Sequence, residues 1–312
     1  MRYFSNKRAK IDTLINSLIL YTKRITFTLF LIKQLFLFQA LKMTLSLLQK
    51  LQNGQNVYGT CFTSTSPLWP AALKKIGLDF VFIDTEHIPL DRGELAKMCQ
   101  IFRALDITPI VRIPSPDPFL ACQVIDGGAL GVVAPYLESA TQIRELVGGV
   151  KFRPLKGQVL HQHLHEGAEM PTELAQYIAN YNAANICIAN IESVPALDHL
   201  DDLLSVKGLD AVFIGPHDLS VSLGLPEQYD HPIFEEAIRT IIHKTRAKGL
   251  AIGIHFSLEP ERQIKWINEG VNIVVHSFDI ALFTQRLRHD LSVIKQAVGD
   301  DKPSDTLPQL II

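Results

Sequence analysis

The stretch DFVFIDTEH, residues 79–87, places two acids and a histidine directly after a short apolar run. The apolar run reads as a buried strand, so Asp84, Glu86 and His87 follow one another at its carboxyl end. A carboxylate next to an imidazole fixes the ring tautomer and leaves the second ring nitrogen free to move a proton. Asp84 and His87 therefore predict an acid–base pair. The alternative is a histidine that is only a hydrogen-bonded part of a loop.

Two further carboxylates, Glu192 and Asp218, follow hydrophobic runs that are consecutive along the chain. If those runs are neighbouring strands, the two carboxylates repel each other unless a cation or a proton lies between them. Oxygen ligands without thiols suit a hard divalent ion that keeps some of its waters, such as Mg²⁺, Mn²⁺ or Co²⁺. We therefore predict a metal site. Capping of the following helix by each acid is the alternative.

Arg112 ends a run that is otherwise apolar, PIVRIP at 109–114. Its planar fork of N–H donors matches a substrate carboxylate, whereas a buried ion pair with Asp84 or Glu86 is the alternative. No lysine ends any of the predicted strands, which argues against a Schiff-base mechanism. A divalent ion, an arginine for a carboxylate and an acid–base pair together favour enolate chemistry on a 2-oxo acid.

These residues need a scaffold that brings the ends of several strands together. From Met43 onward, short β-branched runs alternate with longer amphipathic stretches, which is the pattern of β/α units with a parallel sheet. The predicted strands cover 57–62, 80–85, 109–113, 131–136, 186–192, 211–216, 251–256 and 273–278. The predicted helices lie near 67–77, 90–105, 116–127, 139–148, 195–204, 232–248, 259–269 and 281–298.

Eight such units predict a (β/α)8 TIM barrel, a fold in which the active site lies at the carboxyl ends of the strands. The competing doubly wound sheet gains no support, because no GxGxxG motif follows the first strand. The segment 153–185 is predicted to be one long irregular connection, of the kind that forms a lid or an interface.

The composition divides the chain into three predicted parts: a basic apolar extension at 1–42, a barrel domain at 43–300 and a tail at 301–312. The whole chain of 312 residues has a net charge of −2, which gives no electrostatic argument for nucleic-acid binding. The extension carries eight basic residues against one acid, and its apolar stretch is interrupted. It is interpreted as a non-native start, a transit segment or a membrane anchor. The predicted location is therefore cytoplasmic, with mitochondrial or membrane-associated as alternatives.

From about Val57 to Val298 the sequence resembles the HpcH/HpaI family of class II, metal-dependent pyruvate aldolases. The motifs that carry the resemblance are FIDTEHIPLD, PIVRIP, RPLKG, NIESVPALDHLDDLLSVKGLDAVFIGPHDLSVSLG and FDIALF. The resemblance implies a modified TIM barrel that binds a divalent metal ion, with a 2-oxo acid and an aldehyde as its small-molecule partners. It also implies a homo-oligomer built from dimers, often a hexamer, in which the last helix is exchanged between subunits.

The resemblance assigns roles to individual residues. Glu192 and Asp218 match the metal ligands of the family. Arg112 matches the arginine that binds pyruvate and stabilises its enolate, and His87 with Asp84 matches an acid–base dyad.

Other positions of the resemblance concern the substrate and the neighbouring subunit. Asp126 matches an acid that reaches the site of a neighbouring subunit, and the backbone of Gly215, Pro216 and His217 is expected to approach the pyruvate carboxylate. The sequence departs from many relatives at three positions that border the aldehyde or the outer shell of the metal. These are Cys61 in place of Trp, Asn190 in place of Gln, and His217 in place of Ala.

The predicted reaction is the reversible cleavage of a 4-hydroxy-2-oxo acid to pyruvate, or a related 2-oxo acid, and an aldehyde. One rival is a citrate-lyase-like or malyl-CoA-lyase-like reaction on a CoA thioester, although no basic run for the CoA phosphates is evident. A second rival is a non-enzymatic scaffold tethered to a membrane through residues 1–42. A third is a metal hydrolase that uses the histidines His87, His217, His255 and His276.

Overall fold

Eight parallel strands close into a barrel in the computed structural model, which describes residues 45–257 and 260–300. Each strand pairs with the next along the chain, and the last pairs with the first. The strands are β1 (Val57–Cys61), β2 (Phe80–Asp84), β3 (Thr108–Arg112), β4 (Gly131–Ala134), β5 (Ile186–Ile191), β6 (Ala211–Ile214), β7 (Ala251–Phe256) and β8 (Ile273–Phe278). The predicted TIM barrel is confirmed.

Most of the helices follow a strand and pack on the outside of the barrel, whereas the helix at Leu47–Gln52 precedes β1 and packs with the interior residues. The helices are α1 (Leu47–Gln52), α2 (Leu68–Lys74), α3 (Arg92–Ala104), α4 (Pro118–Asp126), α5 (Ala140–Lys151), α6 (Gly157–His165), α7 (Thr172–Tyr181), α8 (Val194–Asp198), α9 (Leu200–Leu204), α10 (Pro216–Ser222), α11 (Pro232–Ala247), α12 (Pro260–Glu269) and α13 (Asp279–Val298). Several begin where side chains satisfy the first free N–H groups. Asp117 caps α4 before a proline, and Ser139 forms a capping box with Gln142 at α5.

The strands are buried on both faces, and this explains their continuous apolar runs. Along β2, Phe80 and Phe82 pack with the residues inside the barrel, whereas Val81 and Ile83 pack with the surrounding helices. Side chains of a strand alternate between its two faces, so Asp84 is in phase with the interior. The residue that ends β2 is therefore delivered to the carboxyl mouth of the barrel.

The segment 153–185 corrects a prediction, because it contains the helices α6 and α7 and is not one irregular connection. None of the residues of α6 is buried, and Ile178 alone is buried in α7, so neither helix shows a broad core-facing stripe. Neither begins with a side-chain cap either. The predicted helix at 195–204 is also divided in two, since His199 is both the residue that caps the end of α8 and the residue that precedes α9.

The predicted extension at 1–42 and tail at 301–312 lie outside the described residues. Among the helices that the structure describes, none combines the length and apolar character that spanning a bilayer requires.

Candidate active site

One cavity of about 440 Å³ opens at the carboxyl ends of the strands. The alternation that directs Asp84 inward acts in the same way on β3 and β5, where Ile110 and Ile188 pack inside the barrel two residues before Arg112 and Asn190. Of the residues predicted for the site, the cavity is lined by Asp84, His87, Arg112, Asn190, Gly215, Pro216, His217 and Asp218. The structure thus brings together groups that are more than 130 positions apart in the chain.

Arg112 is held by two carboxylates beside the cavity. Its Nε and Nη2 donate to Oδ1 and Oδ2 of Asp84 at 2.9 and 2.6 Å, and its Nη1 lies 3.2 Å from Oε2 of Glu86. The ion pair that was the alternative reading of Arg112 is therefore present, with both partners. The two hydrogen bonds to Asp84 use two of the five N–H groups of the guanidinium, whereas Oε2 of Glu86 forms an ion pair without a hydrogen bond. N–H groups of Arg112 therefore remain for a ligand.

The Asp84 carboxyl group is almost completely buried. Burial alone would raise its pKa, but the hydrogen bonds and positive charge of Arg112 outweigh burial and hold the pKa below its ordinary value. Asp84 also accepts a hydrogen bond from the backbone N–H of Glu86 at 3.0 Å. It is therefore an ionised group whose role is to fix Arg112 and the loop that follows β2.

His87 lies at the mouth of the cavity with 44% of its side chain exposed. Its Nε2 is 3.9 Å from Oε2 of Glu86, which is too long for a hydrogen bond. The contacts of the described residues include no hydrogen bond between His87 and Asp84. The physical reason is that Arg112 takes the Asp84 oxygens in a charge-assisted bidentate pair. Both members of the predicted dyad line the cavity, but they are not bonded to each other.

Glu192 is 5% exposed and lies immediately beside the cavity. Its Oε1 accepts the backbone N–H of Tyr136 at 2.9 Å, and its Oε2 accepts the side-chain amide of Asn190, which lines the cavity. Burial is the main reason that the pKa of Glu192 is raised to about 7; the charges of Asp218 and Glu86 raise it further. A cation bound beside Glu192 would therefore stabilise its ionised form.

The helix-capping alternatives for the two predicted metal ligands do not hold. Ser193, not Glu192, caps α8, because the Ser193 side chain accepts from the N–H of Ala196. Asp218 lies in the first turn of α10, where the cap position is Gly215 and no side-chain cap bond forms. Neither carboxylate is therefore a helix cap, although Glu192 accepts hydrogen bonds from Tyr136 and Asn190.

The residues present fit a divalent ion with an incomplete set of protein ligands. Within residues 45–257 and 260–300, no three His, Cys, Asp or Glu side chains converge on a point that could hold a metal. Two carboxylates, one buried and one exposed at the cavity, instead leave the remaining positions to waters or substrate oxygens, as Mg²⁺ and Mn²⁺ allow. The backbone of Gly215 packs closely against Glu192, since a Cβ at Gly215 would lie 2.7 Å from Oε2 of Glu192. The buried Oδ1 of Asn190 also has no hydrogen-bond partner.

The sequence did not single out Tyr136, which connects two of the carboxylates. Its backbone N–H binds Glu192, and its phenol is hydrogen-bonded to Glu86, a bond that raises the pKa of Tyr136 to about 12. Its φ of 56° is uncommon for an aromatic residue and marks a strained position. A backbone donor carries no sequence signature, so the spacing of residue types could not have indicated this contact.

Asp126 and His217 lie apart from this network. Asp126 ends α4, is 65% exposed on its side chain and forms an ion pair with Arg153, and it does not line the cavity. Its proposed reach into a neighbouring subunit stays a prediction. His217 borders the cavity with 49% of its side chain exposed, and its Nδ1 is 3.9 Å from Glu227.

Comparison with known proteins gives the same family from sequence and from structure. The family model described as HpcH/HpaI aldolase/citrate lyase matches residues 60–285. A Salmonella gallinarum protein named 2-keto-3-deoxy-L-rhamnonate aldolase is 31% identical over 256 residues, which are 81% of this chain and 95% of that protein.

Solved structures share the fold over nearly their whole length. The HpcH/HpaI aldolase from Desulfitobacterium hafniense DCB-2 superposes with a TM-score of 0.72 at 26% identity, covering 83% of this chain and 100% of that one. The citrate synthase SbnG superposes with a TM-score of 0.70 at 29% identity, with the same coverage of 83% and 100%. Both an aldolase and a citrate-forming enzyme therefore resemble this chain.

Proposed function

Since this chain belongs to the HpcH/HpaI aldolase/citrate lyase family and is therefore a carbon–carbon lyase, we propose that it is a metal-dependent aldolase. It reversibly cleaves a 4-hydroxy-2-oxo acid to a 2-oxo acid, such as pyruvate, and an aldehyde. The observation that carries this proposal is the pair Glu192 and Asp218, two carboxylates without a capping role, beside a cavity that also contains Arg112.

Arg112 binds the 2-oxo acid part of the substrate in this proposal. The N–H groups of Arg112 that are not hydrogen-bonded to Asp84 face oxygens on which negative charge grows as the enolate forms. Because the two carboxylates hold the guanidinium, its position needs little reorganisation when the substrate binds. A divalent ion at Glu192 and Asp218 supplies Lewis-acid stabilisation of the same charge when it is bound.

His87 handles the proton of the substrate 4-hydroxyl group. It takes this proton as the bond between carbons 3 and 4 breaks, which leaves an aldehyde at carbon 4 and the electron pair on the enolate. Protonation of the enolate at carbon 3 then gives the 2-oxo acid. Exposure of the His87 ring at the mouth suits this role, since the aldehyde half must enter and leave there.

A lyase that acts on a CoA thioester is the second candidate, because the family description includes citrate lyase and SbnG is a citrate synthase. A thioester of CoA brings phosphates that need cations near the mouth. The one lysine or arginine among the described lining residues is Arg112, which Asp84 and Glu86 already engage. The aldolase reading is therefore favoured.

The test is to incubate the purified chain with pyruvate, Mn²⁺ and a panel of short aldehydes, with and without a chelator, and to identify adducts by mass spectrometry. The panel includes lactaldehyde, since cleavage of a 2-keto-3-deoxy-L-rhamnonate skeleton yields pyruvate and lactaldehyde. Aldol adducts that disappear with the chelator are expected. Adducts that resist the chelator, or a product that forms only when acetyl-CoA replaces the aldehyde as the partner of the 2-oxo acid, would overturn the proposal.

The oligomer predicted from the family resemblance is also part of the proposal. The helix α13 exposes an apolar stripe with helical spacing, formed by Ile280, Phe283, Leu287, Leu291, Ile294 and Val298. A stripe of this kind suits burial against another copy of the chain. Light scattering is expected to give a dimer or larger for the wild type and a smaller particle for Phe283→Glu; a monomeric wild type contradicts it.

A further inference from the structure

The helix α6 carries three histidines at alternate positions, His161, His163 and His165. Residues four apart lie on one face of a helix, whereas residues two apart do not. His161 and His165 therefore form a pair, and His163 belongs to another face. None of the three lines the cavity at the carboxyl ends of the strands, and the function proposed above gives them no task.

The contact between α6 and α5 turns this pair toward solvent. A Cβ at Gly148 of α5 would lie 2.6 Å from Cδ1 of Leu164 and 3.6 Å from Cδ2 of Leu160, so the two leucines form the face of α6 that contacts α5. His161 and His165 each follow one of these leucines, which places the pair about 100° around the helix from them. The side chain of His161 is accordingly 64% exposed.

His163 has a structural role instead. Its Nδ1 lies 2.9 Å from the backbone oxygen of Ala168, and its ring lies against Phe152, with the two centroids 4.8 Å apart. These contacts join α6 to the turn that follows it and to the end of α5. Among the described residues, in contrast, no hydrogen bond involves the rings of His161 or His165.

The rings of His161 and His165 are close enough to bind one metal ion. Their centroids are 4.8 Å apart, with an angle of 41° between the ring planes. With metal–nitrogen bonds of about 2.0–2.1 Å, two rings on one ion have centroids roughly 4.5–5.3 Å apart at bond angles of about 90–110°. The observed separation lies within this range, so rotation about the side-chain bonds is enough to bring a nitrogen of each ring to one ion.

Glu166 supplies the carboxylate that metal-bound histidines ordinarily have as an outer partner. Its Oε1 lies 3.5 Å from Nδ1 of His161. A carboxylate on that side favours the tautomer in which Nδ1 carries the proton, and this tautomer leaves the lone pair of Nε2 for a metal ion. The two imidazoles then supply two ligands and water supplies the others, since no group of three His, Cys, Asp or Glu side chains converges on a metal position among the described residues.

We propose that His161 and His165 bind one divalent transition-metal ion on the surface of α6, at a site that shares no residue with Glu192 and Asp218. Imidazole nitrogens suit Cu²⁺, Ni²⁺ and Zn²⁺, whereas Mn²⁺ stands last in the order of affinity of these ions. The ion bridges two successive turns of a nine-residue helix that buries none of its side chains. A helix of this length gains little stability by itself, so the bound ion stabilises α6.

The experiment titrates Ni²⁺ at pH 8 into the full chain, purified without a histidine tag, because metal ions bind the neutral form of imidazole. The parent protein carries Glu192→Gln and Asp218→Asn, so that these two carboxylates do not compete for the ion. His161→Gln and His165→Gln in this parent test the pair, and His163→Gln is the matched control from the same helix. Calorimetry gives affinity and stoichiometry, hydrogen exchange of residues 157–165 gives the stability of α6, and thermal unfolding checks the fold.

The parent protein is expected to bind one Ni²⁺ per chain, and to bind Mn²⁺ at least about tenfold more weakly. His161→Gln and His165→Gln are each expected to lower the affinity for Ni²⁺ by at least about tenfold, because one imidazole alone cannot chelate the ion. His163→Gln is expected to keep the affinity. Ni²⁺ is expected to slow hydrogen exchange of residues 157–165 in the parent protein and in neither variant of the pair.

Full affinity for Ni²⁺ in either variant of the pair overturns the inference, and so does a parent protein that binds no Ni²⁺. An equal loss of affinity in His163→Gln, or binding that leaves hydrogen exchange of residues 157–165 unchanged, also overturns it, because the ion is then held elsewhere. If one variant of the pair does not fold, the other decides, since the proposal requires both ligands.

Discussion

The acids at the two ends of the barrel have opposite surroundings. At the amino end of β6, Asp210 accepts the backbone N–H of Cys187 at 2.7 Å and pairs with Lys151 at 2.6 Å. Beyond the carboxyl ends, burial and the charge of Asp218 raise the pKa of Glu192, and no lysine or arginine forms an ion pair with Glu192 or Asp218 among the described contacts. The amino end of the barrel uses its acids to join strands, whereas the carboxyl end leaves them for a ligand.

β2 repeats this contrast within a single strand. Asp79, just before the strand, accepts the backbone N–H of Tyr58 at 2.8 Å and pairs with Lys50. Asp84, at its end, holds Arg112 beside the cavity. In TIM barrels the amino-terminal face serves stability and the carboxyl-terminal face serves catalysis. The contrast predicts which acids affect unfolding and which affect the reaction.

Removing the acid at the amino end is expected to have the largest effect. Asp210→Ala leaves Lys151 without its carboxylate in a largely buried place, which lowers the free energy of unfolding by about 3 kcal/mol. Its kcat/KM is expected to stay within about twofold of the wild type. Urea unfolding and steady-state assays measure the two quantities. Asp210→Asn, which keeps an acceptor for the Cys187 N–H, is the milder control; lost activity with unchanged stability would reverse the comparison.

Removing the charge of Glu192 at the carboxyl end is expected to raise the free energy of unfolding of the metal-free protein. The folded pKa of Glu192 is about 7, raised from 4.5. A raised carboxyl pKa means that folding is favoured fully below 4.5 and that this contribution is lost as the pH rises through 7. Glu192→Gln, which cannot ionise, is therefore expected to gain about 2–3 kcal/mol over the wild type between pH 4.5 and pH 8.

Unfolding of the two metal-free proteins across this pH range measures the difference. A difference that stays constant from pH 5 to pH 8 would show that Glu192 is no more costly to ionise in the fold than outside it.

Changing the geometry of the cation at Arg112, while keeping its charge, is expected to have a smaller effect. Arg112→Lys loses the fork that binds Asp84 and the substrate together, so kcat/KM falls by at least about tenfold. Arg239→Lys on α11 is the matched control, because Arg239 also pairs with a carboxylate, Glu235, but lies outside the lining of the cavity. Equal rates for Arg112→Lys and the control would make Arg112 a structural ion pair.

The sequence predicted the barrel and the position of its polar rim because both depend on short-range patterns. Continuous apolar runs such as those of β2 and β5 mark strands buried on both faces, and the next residue in phase faces the interior. The alternation of side chains along β2 and β5 is therefore enough to predict that Asp84 and Asn190 face the cavity. Closure of the eight strands brings their ends together without any further information.

The sequence did not predict which of these neighbours bond to each other. Arg112 binds both oxygens of Asp84 in a charge-assisted pair, and the spacing of residue types along the chain does not say that Asp84 pairs with Arg112 and not with His87. The donation from the Tyr136 backbone to Glu192 depends on a left-handed φ that no residue type specified. The helix α6 was not predicted, because it buries none of its side chains and begins at Gly157 without a side-chain cap, so its sequence carries no helix signal.

Calorimetric titration of Mn²⁺ into the metal-free protein at pH 8 tests directly whether Glu192 and Asp218 hold a divalent ion. One ion per chain is predicted for the wild type, with affinity at least about tenfold lower in Glu192→Gln and in Asp218→Asn and unchanged in Asp210→Asn. Wild-type affinity in both of the first two variants, or no binding by the wild type, would contradict a cation held by those two carboxylates.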